Sequence, residues 1–343
     1  MKRTQIGIMR LAIVTVVLGA LSWASILLMA PAHAALSVDL TSVGSGASVV
    51  GRGGAAVGSV ENVESMFVNP AGMMYLPTWD VTTSVKSLNN VAGTILTAAG
   101  AMPMGNIGTV GAAYINMTAP GGFETDNTGK ATGAALGFSS SVMILSIARP
   151  APFTLPLLGQ TAIGGSAKLF NQSFSGGSFK NASGSGVNLD LGMMAMPKSN
   201  LRVGFTVQNI LSSAQGGAIN WSSGISDTIP TAYKAGIAVS FRPDLWVMAD
   251  SQYRPQQPST FSIGGAWNPM KNLMVRLGVQ QDLTSTGSSF AIANNLTAGL
   301  GYSFAGFDFD YAYRQDSVLS QNTAHFFSIS LQGLLNKLPK MGK

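Results

Sequence analysis

The chain has 343 residues, no cysteine, 41 glycines, a formal net charge of +6, and 10% charged against 46% hydrophobic residues. Soluble domains carry about 25% charged residues, so this balance argues against an ordinary soluble domain, and the hydrophobic content argues against a disordered chain. The absence of cysteine excludes a disulfide framework and a thiolate metal site, and the basic residues are too dispersed for the high pI to indicate nucleic acid.

Residues 1–34 read as a secretory signal. Lys2, Arg3 and Arg10 form a basic lead, residues 11–29 are an apolar run, and Ala32-His33-Ala34 is a small-x-small cleavage site before Ala35. The apolar run is also long enough to act as an uncleaved helical anchor, but the placement of the cleavage site favours removal. No later stretch has the roughly 18 consecutive apolar residues that a helical membrane span needs.

Residues 35–79 are rich in Gly, Ser, Val and Ala and lack clean alternation, and we expect a hatch or plug there. Residues 61–66 suit a short helix that ends before Asn69-Pro70, because the residue before proline is pushed out of the helical region. Pro70 fixes its backbone and lacks a donor, Gly72 permits a turn with positive φ, and Asn69 can bond neighbouring backbone. This turn is expected to lead from the hatch into the first strand.

From residue 80 to 335 the pattern is strands and turns. Phe307, Phe309, Tyr311 and Tyr313 alternate with Asp308, Asp310, Ala312 and Arg314. Leu201, Val203, Phe205 and Val207 alternate in the same way with Arg202, Gly204, Thr206 and Gln208. Leu273, Val275, Leu277 and Val279 oppose Met274, Arg276, Gly278 and Gln280, and Phe327, Ile329 and Leu331 oppose Ser328, Ser330 and Gln332. Successive side chains of a strand face opposite sides, so each strand has one apolar face and one small or polar face.

Strand centres fall near Thr83, Thr97, Gly111, Phe138, Ser166, Asp190, Phe205, Ile237, Ala249, Ile263, Leu277, Leu300, Phe309 and Ile329. The fold expected is therefore all-β: a transmembrane antiparallel β-barrel of about fourteen strands with an N-terminal hatch. A change of phase near residues 139–141 suggests a β-bulge. Tight turns near residues 103–106, 197–200, 242–244 and 269–272 alternate with longer loops at 118–130, 172–183, 211–230 and 283–295. This asymmetry, with an even strand count, places both termini in the periplasm of a bacterial outer membrane. Phe241, Tyr253, Trp267, Tyr302, Tyr311 and Tyr313 would form interfacial girdles. Residues 336–343 form a basic tail.

No catalytic set emerges. His33 lies in the signal and His325 opens the last strand, so neither a Ser-His-Asp site nor a histidine metal cluster is supported, and no cofactor is expected. Gly51-Arg52-Gly53-Gly54 lacks the flanking strand, helix and Lys-Ser/Thr pair of a phosphate loop. The lumen-facing phase carries Lys86, Lys168, Asp190, Arg202, Lys234, Asp250, Arg276, Asp308, Asp310 and Arg314. Mixed charge there suits an ion-paired wall better than a single-sign selectivity ring. Arg202, Arg276 and Arg314 are expected to offer partners to Glu61 and Glu64 of the hatch.

Gly51, Gly53, Gly54 and Ala55, then the acidic stretch 61–68, then Asn69-Pro70-Ala71-Gly72, resemble the N-terminal hatch of the long-chain fatty-acid transporter (FadL) superfamily and its shorter PorV/PorQ branch. The resemblance covers about thirty residues. It implies a fourteen-stranded barrel whose hatch gates passage of apolar solutes. Two functions compete, with a purely structural barrel as a third reading. One is a gated passive channel for small, mainly hydrophobic molecules. The other is a PorV-like secretion or surface-attachment component that binds a protein partner. Membrane lipid is a partner in both, and nucleic acid in neither.

Overall fold

The computed structural model describes residues 39–42, 45–60, 62–88, 93–153, 156–177, 182–255, 258–286, 289–315 and 323–333. The expected signal, Glu61 and the basic tail lie outside the described residues. The strands are β1 (Asp80–Leu88), β2 (Thr94–Pro103), β3 (Thr109–Thr125), β4 (Ala131–Pro150), β5 (Gln160–Ser175), β6 (Ser183–Lys198), β7 (Leu201–Gln208), β8 (Ala218–Trp221) and β9 (Ser226–Thr228). They continue with β10 (Ala232–Arg242), β11 (Leu245–Tyr253), β12 (Ser259–Met270), β13 (Leu273–Thr286), β14 (Ser289–Phe304), β15 (Phe307–Arg314) and β16 (Ala324–Gln332).

Strands β8 and β9 form a hairpin hung on β6, through Gly184↔Trp221 and Ser185↔Asn220. The other fourteen close a barrel. Each pairs antiparallel with its neighbours, β7 pairs with β10 across the hairpin, and β1 closes on β16 from Asp80↔Gln332 to Leu88↔Ala324. Closure leaves no sheet edge, so the wall satisfies its own backbone groups in lipid. Each of the fourteen expected strand centres falls in a different barrel strand. Leu277, Leu300, Phe309 and Ile329 point outward and are 63%, 52%, 44% and 45% exposed, which a membrane would cover.

The hatch threads the lumen. It contains helix α1 (Ala47–Val50), helix α2 (Ser65–Val68) and a 3-10 helix at Pro70–Tyr75. α2 ends at Asn69, whose φ of −152° and ψ of 102° are the extended geometry demanded before proline. Val60, Val63, Met66, Phe67 and Met73 pack on Ile95, Ile115, Val142, Ile144 and Phe170 of β2 to β5 in one buried cluster. The inward face of these strands is therefore apolar, where the sequence pattern leads one to expect a polar lumen. It packs on the hatch instead of facing water.

Two further expectations need correction. Register runs evenly through residues 139–141, and the irregularities lie at Pro120, Phe123 and Thr125 on the opposing strand. The apparent phase change in β4 comes from Val142 and Ile144, which are apolar yet inward because they meet the hatch. The long loops are partly strand: β3 runs to Thr125, β5 to Ser175 and β13 to Thr286, while 211–230 holds the β8–β9 hairpin. Continued pairing satisfies backbone that a loop would leave to water. Asp39, the first described residue, lies inside the barrel beside Lys168 and Asn209; both chain ends lie outside the described residues.

Candidate functional site: the hatch and its cradle

Wall side chains hold the hatch mainly by its backbone. Asp250 on β11 accepts from the amides of Ala56 (2.6 Å) and Val57 (2.8 Å) through one carboxylate oxygen. Asp80 accepts from Val63 N (3.0 Å), Ser328 Oγ from Ala47 N (2.8 Å) and Thr297 Oγ1 from Gly53 N (2.9 Å), while Gln208 donates to the Phe67 carbonyl (2.9 Å). An irregular segment cannot pair its own amides, so buried ones need acceptors from outside. Of the arginines expected to partner the hatch glutamates, Arg276 acts on Glu64 through its charge, and Glu61 lies outside the described residues. Arg202 stacks over Trp246 at 4.3 Å, and Arg276 pairs with Asp310 at 2.5 Å.

Asn69 is the pivot of the sequence motif. Its side-chain oxygen accepts from Ala71 N (3.2 Å), capping the 3-10 helix that Pro70 opens. Its amide nitrogen donates to the Val57 carbonyl (2.9 Å) and to the Met193 carbonyl of β6 (3.0 Å). One side chain thus ties two stretches of the hatch to the wall. Gly72 has no positive φ, contrary to expectation; it is small because a Cβ would overlap the Val60 carbonyl. Positive φ falls instead at Gly53 (70°) and Gly54 (78°), where the hatch turns back after α1.

The wall is cut to fit the hatch. A Cβ on Gly204 would strike the Val57 carbonyl, on Gly264 and Gly278 the backbone of Arg52, on Gly164 the Pro70–Ala71 peptide, and on Gly192 the Asn69 side chain. These glycines occupy the inward phase of β5, β6, β7, β12 and β13. Their recurrence on one face was visible in the sequence, but it reads there only as small residues.

A second anchor is buried on β5 and β6. Lys168 is fully buried, pairs with Asp190 at 2.8 Å and lies 3.6 Å from Asp39 at the start of the hatch. Asn209, with φ of 56°, donates to Asp39 (2.7 Å) and accepts from Lys168 (3.0 Å). Asp39 and Asn209 carried no sequence signal of their own. Lys86 lies over the Phe326 ring at 5.1 Å, and Asp308 accepts from Ser303 at 2.5 Å.

Two cavities flank the hatch where it crosses between β10 and β15. The one toward the long connections is about 320 Å³. Val49, Gly53, Val57 and Phe67 of the hatch floor it, and Lys234, Asp250, Arg254 and Arg314 line its wall. The other, toward the short turns, is about 350 Å³ and lies between Ser48, Arg52 and Ser59 of the hatch and Lys271, Arg276, Asp308 and Asp310 of the wall. Among the described residues, the hatch around residues 48–60 contributes to the lining of both. Glu64 sits behind it, 1% exposed, and accepts from Ser48.

No family model matches the sequence, and no curated protein matches it. Solved structures do. The chain shares the fold of hydrocarbon channels. It superposes on the CymD monoaromatic hydrocarbon channel with a TM-score of 0.60 at 13% identity, covering 84% of this chain and 97% of that one. The Ralstonia pickettii toluene transporter TbuX gives 0.58 at 14% identity over 84% and 98% of the two chains. A Pseudomonas aeruginosa FadL homologue gives 0.55 at 11% identity over 83% and 97%. Identity this low establishes a common architecture and leaves function to the site.

Proposed function

We propose that this protein is a gated passive channel of the bacterial outer membrane for small, mainly hydrophobic molecules, with the hatch as its gate. The observation that carries the reading is the pair of cavities that the hatch helps to line. A solute in the first would rest on Val49, Val57 and Phe67, while water occupies the charged wall. Shared architecture with a monoaromatic hydrocarbon channel and a toluene transporter supports the same solute class. The short-turn end, where β16 finishes, faces the periplasm in this reading.

The test is a deletion of residues 43–68. The deletion is expected to raise single-channel conductance in planar bilayers and to speed uptake of an apolar dye into liposomes. Unchanged conductance in a heat-modifiable, folded deletion would refute the gate. The density of wall-to-hatch bonds favours one second reading, a closed barrel of the PorV/PorQ branch that presents a surface to a secretion partner. A folded deletion that conducts no better would support it.

A further inference from the structure

The outward face of β4, β5 and β6 changes chemistry along its length. Nearer the short turns, Met143, Leu169 and Val187 stand side by side in register, each exposed toward lipid. Two residues beyond them on each strand the same face carries Ser141, Asn171 and Ser185, with Asn220 of β8 next in the row: Ser141↔Asn171, Asn171↔Ser185, Ser185↔Asn220. A second row follows with Ser139↔Ser173. These rows line a shallow concavity of about 520 Å³. Among the described residues no charged side chain lines it, and those of Ser139, Ser141, Asn171, Ser173 and Ser185 hydrogen-bond to no protein group.

We propose that this face binds the uncharged sugar hydroxyls of a glycolipid headgroup whose acyl chains lie on Met143, Leu169 and Val187. Hydroxyl and amide side chains both donate and accept, which matches a sugar hydroxyl in either role. A phosphate headgroup would call for a Lys or Arg, and the described lining holds neither. The site is continuous with the lipid-facing band on the same strands, so one amphiphile spans both. The biological setting rests on the outward orientation of the long connections under the reading above.

The experiment uses the mature protein in nanodiscs containing diglucosyl-diacylglycerol and phosphatidylglycerol with identical acyl chains, with lipid retention read by native mass spectrometry. Wild type is expected to retain the glycolipid over phosphatidylglycerol by about tenfold, the worth of one or two hydrogen bonds. The triple variant S141A/N171A/S185A, and separately S139A/S173A, should lose most of that preference, and free maltose should compete weakly. Equal retention of the two lipids, or an unchanged preference in both folded variants, would overturn the proposal. Orientation is checked independently by labelling Asn127→Cys in intact cells with an impermeant maleimide. Labelling only after permeabilisation would remove the outer-leaflet setting and the orientation together, while the nanodisc result would still report on the site.

Discussion

Ser48 donates a 2.6 Å hydrogen bond to Glu64, joining the α1 turn of the hatch to the segment that leads into α2. Burial pushes the Glu64 carboxyl up to about 7; the Ser48 bond and the charges of Arg52 and Arg276 oppose that rise without cancelling it. An acid with a raised value holds its proton in the closed state. The closed state therefore binds more protons than an opened one between the ordinary carboxylate range and about 7. Its stability is full at low pH and falls as pH rises through that window.

The corresponding expectation is a pH-dependent gate. Open probability in planar bilayers should rise from pH 5 to pH 8 in wild type, and Glu64→Gln should flatten the dependence while keeping the channel closed. A wild-type profile that is flat, or that opens toward acid, would show that Glu64 does not control the hatch.

Asp250 grips the hatch with one oxygen that accepts two buried amides. Asp250→Ala leaves both donors without a partner, at a cost to the closed state of about 1–3 kcal/mol for each unsatisfied group. Asp250→Asn keeps an acceptor and should cost less. Limited proteolysis of the hatch in detergent is the measurement, with cleavage fastest in the alanine variant.

Inward and outward glycines should differ sharply. A Cβ at Gly204 meets the Val57 carbonyl, whereas one at Gly265, on the lipid side, meets only ordinary contact at 3.8 Å. Gly204→Ala is expected to displace the hatch and raise conductance, and Gly265→Ala to leave it unchanged. Equal conductance in the two variants would mean that the cradle does not set the hatch position.

Leu277 faces lipid and is 63% exposed in the isolated chain. Arginine there should destabilise the assembled barrel by about 2–4 kcal/mol if the site is near the midplane. Arginine at Phe304, beside the Ala305–Gly306 turn, should cost far less. Urea unfolding in lipid vesicles separates the two.

The barrel was legible because its signal is local and repeated. Side-chain alternation in Leu201 to Gln208 or Phe307 to Arg314 reflects a period of two that any strand with one face in lipid must show. The helix-ending role of Asn69-Pro70 is equally local. How the hatch sits was decided only by the closed tertiary structure. Asp250, Thr297, Ser328 and Gln208 are ordinary inward polar residues until the barrel brings them against backbone groups some 140 to 280 positions away in sequence, as the bonds Gln208–Phe67 and Ser328–Ala47 illustrate. Val142 and Ile144 break the polar-inside pattern for the same reason: the hatch, and not water, is their neighbour. A strand's period follows from its own backbone, whereas the partner that fills a lumen depends on chain closure, and no local window of sequence contains it.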